Sequence, residues 1–351
     1  MIRCSHVLAA SILLTAASCG GNAAASTTGP ALAGPFAHDN LQVWLVRGPD
    51  TPGAATVAVP LADALRQGLV VVHETGDVNQ LAIENTSKDR TVYVQTGDIV
   101  QGGRQDRTIG VDLALAPGSG RVPLPSFCVE HGRWSARPQV DLDGATAAGA
   151  SAVAPAGFDA KFLSSANAVN TAELKKAVLL QRDQQSVWNE VAKAQECMRA
   201  GTGSEAVVAR GSPTSLEMTL NTKPVEDAVA GYVAALQGIA AAHGDAVGCV
   251  VAIGSRLESA DTYGSHALFV QMWPKLLRTA ATAALGKKQE PASGSAIAAE
   301  QVCAFVADAA GAPETREVAG GVHMSIGENP VAHVVDSRAG DAALHRTWLA
   351  K

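Results

Sequence analysis

Two short runs carry the residue types that do chemistry. The first, Thr96-Gly97-Asp98-Ile99-Val100-Gln101-Gly102-Gly103-Arg104-Gln105-Asp106-Arg107, sets two guanidinium groups around an amide and a carboxylate. It places them directly after a glycine pair that opens unusual backbone angles. The second, Pro125-Ser126-Phe127-Cys128-Val129-Glu130-His131-Gly132-Arg133-Trp134, adds a thiol, a carboxylate, an imidazole and a third guanidinium. Paired arginines clamp phosphate or carboxylate through parallel hydrogen bonds, and a nearby carboxylate can take a proton from water. Arg104, Gln105, Asp106, Arg107, Glu130 and Arg133 are therefore the candidate ligand-binding residues, and Glu130, Asp106 and Cys128 the candidate catalytic groups. Each has an architectural reading beside the functional one. The charged residues can close a polar plug that ties two parts of a fold together. Cys128 as a nucleophile needs a base such as His131, whereas within its apolar strand run it reads first as a core thiol.

These runs meet only if the strands between them pair. Thr108–Leu115 and Val122–Val129 are β-rich and flank Pro117-Gly118-Ser119-Gly120, a hairpin arrangement that brings both runs to one end of a sheet. Val43–Val46, Leu69–Glu74, Leu81–Glu84 and Thr91–Gln95 read as further short strands, and Leu61–Arg66 as a brief helix stopped by Gly68. Residues 40–140 thus read as a sandwich-like β-rich domain. Residues 141–170, poor in pattern and rich in Ala, Gly and Ser, read as a linker.

Residues 171–351 change period. Thr171 is placed to cap a long helix that carries Leu180, Val187, Val191, Ala194 and Met198 on one face. A second helix opens at Pro224, with Val225, Val229, Tyr232, Val233 and Leu236 on its apolar side. Val247–Ile253 and Leu257–Tyr263 form a hairpin pattern. Ser265–Leu285 is a helix that Pro274 should kink or restart. A helix near Ala298–Ala309 precedes a terminal hairpin of Glu317–Ile326 with Val331–Asp336. The expectation is an α+β class: a β-rich N-terminal domain followed by a helix-rich α+β domain. Trp134 and Trp273 read as core or interface anchors.

Composition narrows the function. The 351 residues carry 27 Lys+Arg against 33 Asp+Glu, a formal charge of −6, which lacks the basic face of a nucleic-acid binder. Hydrophobic residues at 47% with charged residues at 17% exclude a wholly disordered chain. No P-loop, GxGxxG, HExxH or GxSxG motif occurs. His323, Met324, Glu328 and His333 fall on hairpin strands and read as surface or turn residues, so neither metal nor cofactor is expected.

The first residues read as an address. Arg3, the apolar Val7–Thr15 and the small residues before Cys19 have the layout of a lipoprotein signal, with Ala16 where Leu is commoner. On this reading residues 1–18 are a signal peptide, Cys19 is acylated, and 19–39 is a flexible Gly/Ala/Ser/Thr tether. The alternative is cleavage after Ala23-Ala24-Ala25 and a free secreted protein. The body is expected to be extracytoplasmic and held to a membrane by lipid at Cys19. Cys128, Cys197, Cys249 and Cys303 then remain, an even number in an oxidising compartment and without CxxC spacing; any disulfide pairing among them stays open, and buried free thiols are the plainer reading.

GDIVQGGRQDR (Gly97–Arg107) and PLPSFCVEHGRW (Pro123–Trp134) resemble the hallmark runs of the ARPP domain family, the ARG and Rhodanese-Phosphatase-superfamily-associated Protein group, in which ARG stands for ADP-ribosylglycohydrolase. LADALRQGLVVVHE (Leu61–Glu74), QQSVWNEV (Gln184–Val191) and the long stretch Gly248–Leu285 extend the resemblance over most of the chain. His131 stands where the family has Gln, and the position of Asp106 admits Asn in the family. An amide can orient but cannot act as a base, which weighs against an obligatory carboxylate there. The resemblance implies a loose association with ADP-ribose or NAD-derived chemistry and no defined activity. The leading expectation is a binding or structural envelope module, partnered by an envelope protein or a phosphorylated small molecule. The alternative is a hydrolase or transferase on phosphorylated substrates, with Arg104 and Arg107 holding phosphate and Glu130, with Asp106, activating water.

Overall fold

The computed structural model describes residues 30–51, 58–77, 79–131, 162–165, 168–208, 213–288 and 297–351. Cys19, Arg133 and Trp134, singled out above, lie outside them. The chain runs through β1 (Ala31–His38), β2 (Leu41–Arg47), β3 (Val59–Pro60), α1 (Leu61–Arg66), β4 (Val70–Glu74) and β5 (Gln80–Asn85). Then come β6 (Val92–Val94), β7 (Ile99–Gly102), β8 (Arg107–Ile109), β9 (Leu113–Leu115), β10 (Gly120–Cys128) and β11 (Phe162–Ser165). Helices follow: α2 (Ala172–Lys176), α3 (Gln184–Thr202), α4 (Leu216–Leu220) and α5 (Lys223–Leu236). The hairpin β12 (Ala246–Ile253) and β13 (Arg256–Tyr263) leads into α6 (His266–Gly286) and α7 (Ala299–Phe305). A meander closes the chain: β14 (Ala310–Val318), β15 (Val322–Glu328), β16 (Ala332–Ala339) and β17 (Ala342–Ala350). The class is α+β, with antiparallel sheets dominant.

The large sheet has eight strands in the order β1-β2-β12-β13-β17-β16-β15-β14. It therefore joins the first strands of the described chain to the last ones. Leu41–Arg47 pairs with β12, not with the strands that follow it, because every one of its residues except Arg47 is buried. A strand so apolar needs cover on both faces, and the centre of a large sheet supplies it. Val43 and Leu45 turn to a core shared with α5 and α6, while Trp44 and Val46 pack with Val302 and Phe305 of α7. Ala31–His38, read as the end of a tether, is the edge strand beside it. Its Gly34-Pro35 step falls where the register shifts, and an edge strand has no need of a proline N–H.

The other strands form a six-stranded sheet, β11-β7-β8-β10-β5-β4, and a three-stranded one, β3-β6-β9. Phe162–Ser165, within the expected linker, is the edge strand β11 against β7. The expected hairpin is split. Ser126–Cys128 of β10 pairs with β8, Gly120–Pro125 pairs with β5, and Leu113–Leu115 leaves for β6.

Helical boundaries moved where backbone chemistry required it. The long helix from Thr171 breaks after a π-helical turn at Ala177–Gln181, where Arg182 is left-handed at φ 54° and Asp183 caps α3 through Ser186 N. Helix α6 continues through Pro274, starts from a Ser265 cap on Leu268 N, and buries Trp273. The terminal hairpin is a four-stranded meander, since Glu317–Ile326 is interrupted by a tight turn at Ala319–Gly321 with Gly320 at φ 77°. Among the described residues no helix is long and apolar enough to cross a membrane.

Candidate functional site

The two motif runs do meet. Arg107 of β8 stands opposite Cys128 of β10, and beyond β10 the chain carries Glu130 back beside Asp106, whose backbone N–H donates to Glu130 Oε2 at 3.2 Å. Val129 N–H donates to the Asp106 carbonyl at 3.1 Å, so the two segments are stitched by main chain. The turn before them depends on glycine. Gly103 has φ +54°, and a Cβ there would collide with the Phe162 ring and the Glu74 carboxylate. That carboxylate accepts the Arg104 backbone N–H at 2.8 Å.

The cluster is closed. Asp106 and Glu130 have 0% exposure, Arg107 1%, Gln105 4% and Cys128 2%; Arg104 is half-buried. Arg107 Nη1 donates to both the carbonyl and Oε1 of Gln105, at 3.3 Å each, while Nε finds no hydrogen-bond partner. Asp106 accepts from Gly102 N–H at 3.2 Å and from the Ser215 hydroxyl at 3.0 Å. Ser215 also caps α4, so that bond ties the strand region to the helices. A second tie is reciprocal: Gln184, first residue of α3, donates to the Cys128 carbonyl and accepts its N–H, both at 2.9 Å. Burial pushes the Cys128 thiol up; Arg107 pulls it back, and Glu74 and Glu130 push it further. A raised, buried thiol is a poor nucleophile. His131, its proposed base, is exposed and turned to the Trp188 ring, edge to face at 4.5 Å.

Beside His131 a cleft of about 290 Å³ opens, lined by Trp188, Gln185, Asn189, Gln195 and Thr214. No carboxylate or arginine of the described residues faces it.

A second polar cluster escaped the sequence reading. His345 of β17 sits between two carboxylates, Nδ1 at 3.1 Å from Asp112 Oδ2 and Nε2 at 3.0 Å from Asp261 Oδ1. Lys175 Nζ donates to the same Asp261 oxygen at 2.7 Å. Asp112 also accepts from Thr96 N–H at 2.7 Å and from the Ser337 hydroxyl at 2.6 Å. Nearby, Lys275 pairs with Asp98, which accepts Gln95 N–H as well. All six charged side chains are buried. Burial alone would push the imidazole down, but Asp112 and Asp261 outweigh it and raise it to about 9. Burial works against both carboxylates too, yet Lys175 and then His345 hold Asp261 well below the carboxylate range, and His345 with Ser337 lowers Asp112. The pairing thus favours the charged forms of Asp112, Asp261 and His345 together, with Lys175 bonded at the Asp261 end. The sequence held one signal, beside it at the Lys275–Asp98 pair: a lone charge in an apolar context, Trp273-Pro274-Lys275-Leu276-Leu277; Asp261, among Glu258, Ser259 and Thr262, carried none.

The family model described as the ARG and Rhodanese-Phosphatase-superfamily-associated Protein domain, ARPP-1, matches residues 31–346. This chain belongs to that family. No curated protein and no solved structure matches it. The matched span takes in both clusters and, among the described residues, helices α1 to α7 and every strand up to the middle of β17. Among the described residues of this ARPP-1 chain no group of three or more His, Cys, Asp or Glu side chains could hold a metal ion.

Proposed function

We propose that this ARPP-1 protein is an extracytoplasmic binding or structural module, lipid-anchored through Cys19, in which the GGRQDR run and Cys128–Glu130 lock the strand region to the helices. The observation that carries the reading is the complete burial of Glu130 and Asp106, with Asp106 bonded to the helix-capping Ser215. A general base must reach water or substrate, and a carboxylate without accessible surface does neither. Buried ion clusters that tie segments together are architectural, and removing one member leaves the others uncompensated. An anionic ligand or a phosphorylated small molecule would meet this cluster at Arg104, which is half-buried at its rim. The anchor rests on the N-terminal sequence, Arg3 through Cys19.

The test is Glu130→Gln in a thermal-shift and turnover screen against ADP-ribose, NAD, nucleotides, sugar phosphates and inorganic phosphate. The lock requires a melting temperature several degrees lower and no turnover by either protein. Turnover of any of these by the wild type, lost in Glu130→Gln with melting unchanged, would replace the lock with a hydrolase or transferase. For the anchor, incorporation of labelled fatty acid should disappear in Cys19→Ser.

A further inference from the structure

A cavity of about 230 Å³ lies between helices α2, α3 and α6 and the strands β12 and β13. Most of its exposed wall is apolar, from Met198, Val251, Ile253, Leu276, Ala280 and Ala283 among others, with charged side chains set around it. At its inner end stand Lys175 and Asp261, the terminal pair of the buried charge chain. Their residual exposure, 3% and 4%, belongs to residues otherwise enclosed by the core. Both hydrogen bonds to Asp261 fall on Oδ1, and Lys175 commits one of its three N–H donors to it, so the ammonium keeps donor capacity.

We infer that this cavity is a binding site for a small neutral molecule: an apolar body ending in a hydrogen-bond acceptor, such as a carbonyl, that meets the Lys175 ammonium. Three features select that class. The first is volume. A dry cavity of about 150 Å³ accepts benzene, so this one accommodates roughly nine heavy atoms. The second is the apolar wall, which rewards burial of a hydrocarbon or aromatic body. The third is charge pairing. Lys175 is matched to Asp261, Lys193 to Glu190 at 2.6 Å and Lys287 to Glu258 at 2.6 Å, and Glu173 adds a fourth carboxylate to the lining. Among the described residues, four carboxylates against three paired lysines disfavour an anion, which separates this site from any phosphate site at Arg104. Asp112 braces His345, His345 braces Asp261, and the Asp261 hydrogen bond at 2.7 Å holds the Lys175 side chain in place at the cavity without a ligand.

The chain supplies its own reporter. Cys197 of α3 is a free, exposed thiol on the lining, whereas Cys249 is buried at the β12 side. With the full-length chain carrying Cys19→Ser, binding of acetophenone, benzoate and ethylbenzene is measured by saturation-transfer NMR. Alkylation of Cys197 by iodoacetamide is followed by peptide mass spectrometry in parallel. Acetophenone should bind and slow Cys197 alkylation. Ethylbenzene, which lacks the acceptor, should bind about tenfold more weakly, and benzoate weaker still. Ala283→Leu, which narrows the cavity from α6 without touching the charge chain, should abolish both readouts while melting stays within a few degrees. If that variant fails to fold, Ala194→Leu from the α3 wall serves, and the wild-type alkylation series needs no variant. No saturation transfer from acetophenone, or transfer that persists unchanged with the cavity narrowed, overturns the site. Benzoate binding as tightly as acetophenone overturns the ligand class. None of these outcomes bears on Glu130 or Arg104, so the site and the motif lock fail independently.

Discussion

The motif cluster and the charge chain are both buried, both polar and both shared between strand and helix regions, yet they are built in opposite ways. The motif cluster comes from two segments, Gly102–Arg107 and Cys128–Glu130, that one pair of neighbouring strands brings together. Backbone groups take part in it throughout: Val129 N–H bonds the Asp106 carbonyl, and the N–H groups of Asp106, Arg104 and Cys128 bond the side chains of Glu130, Glu74 and Gln184. The charge chain draws Asp112, Lys175, Asp261 and His345 from four distant segments and connects them side chain to side chain. Local stitching leaves a contiguous signature in the chain; assembly through side chains leaves isolated charges. Conspicuous motif residues therefore need not mark a reaction centre, and an inconspicuous lysine can stand at the wall of a cavity.

The contrast sharpens most in a pair of truncations. Asp261→Ala leaves Lys175 and His345 buried without their shared carboxylate, a loss of about 3–5 kcal/mol for breaking a buried ion cluster. Asp106→Ala removes acceptors from Ser215 and Gly102 and is expected to cost about 1–3 kcal/mol. Denaturant unfolding of both variants checks the order; equal losses would erase the distinction between side-chain and main-chain assembly.

A pH series isolates the charge chain alone. His345 holds its proton to about 9 when folded, against 6.5 for an ordinary imidazole. Its contribution is therefore complete below pH 6.5 and is lost as the pH rises through 9, on the order of 3 kcal/mol in all. The depressed Asp261 and Asp112 act in the opposite window: their contribution is present at neutral pH and fades in acid as they protonate. Stability measured from pH 6 to 10 should fall in the wild type and flatten in His345→Gln. A wild-type curve that is flat across this range would mean that the imidazole is not doubly paired in solution.

The smallest effect belongs to the rim of the motif cluster. His131→Gln, the residue expected in the family, removes only the edge contact with Trp188 and should cost at most about 1 kcal/mol by denaturant unfolding. A larger loss would move His131 from the rim into the lock.

Much of the local structure was legible. The brief helix Leu61–Arg66, the hairpin of β12 and β13, the burial of Trp273 and the meeting of Arg107 with Cys128 follow from periodicity and turn residues. The burial of Cys128 and Cys249 followed from their apolar neighbours as well, but two readings as buried thiols did not hold: Cys197 of α3 is exposed, and Cys303 is bound in a disulfide. The break at Arg182 was hidden because an apolar stripe continues across it, and only the Asp183 cap marks a new helix.

What the sequence determined by itself is what neighbours along the chain can enforce. It set the α+β class, the short strands with their turns, the glycine pair that Gly103 requires, and the two motif runs that place this protein in its family. What only the tertiary structure decided is partnership at long range. It put β2 at the centre of a sheet with β12, sealed Glu130 and Asp106 from water, and lined up Asp112, His345, Asp261 and Lys175 beside a cavity. The physical reason is that burial and charge pairing depend on distances in space, between residues separated by up to 233 positions in the chain, and no local period or spacing encodes them.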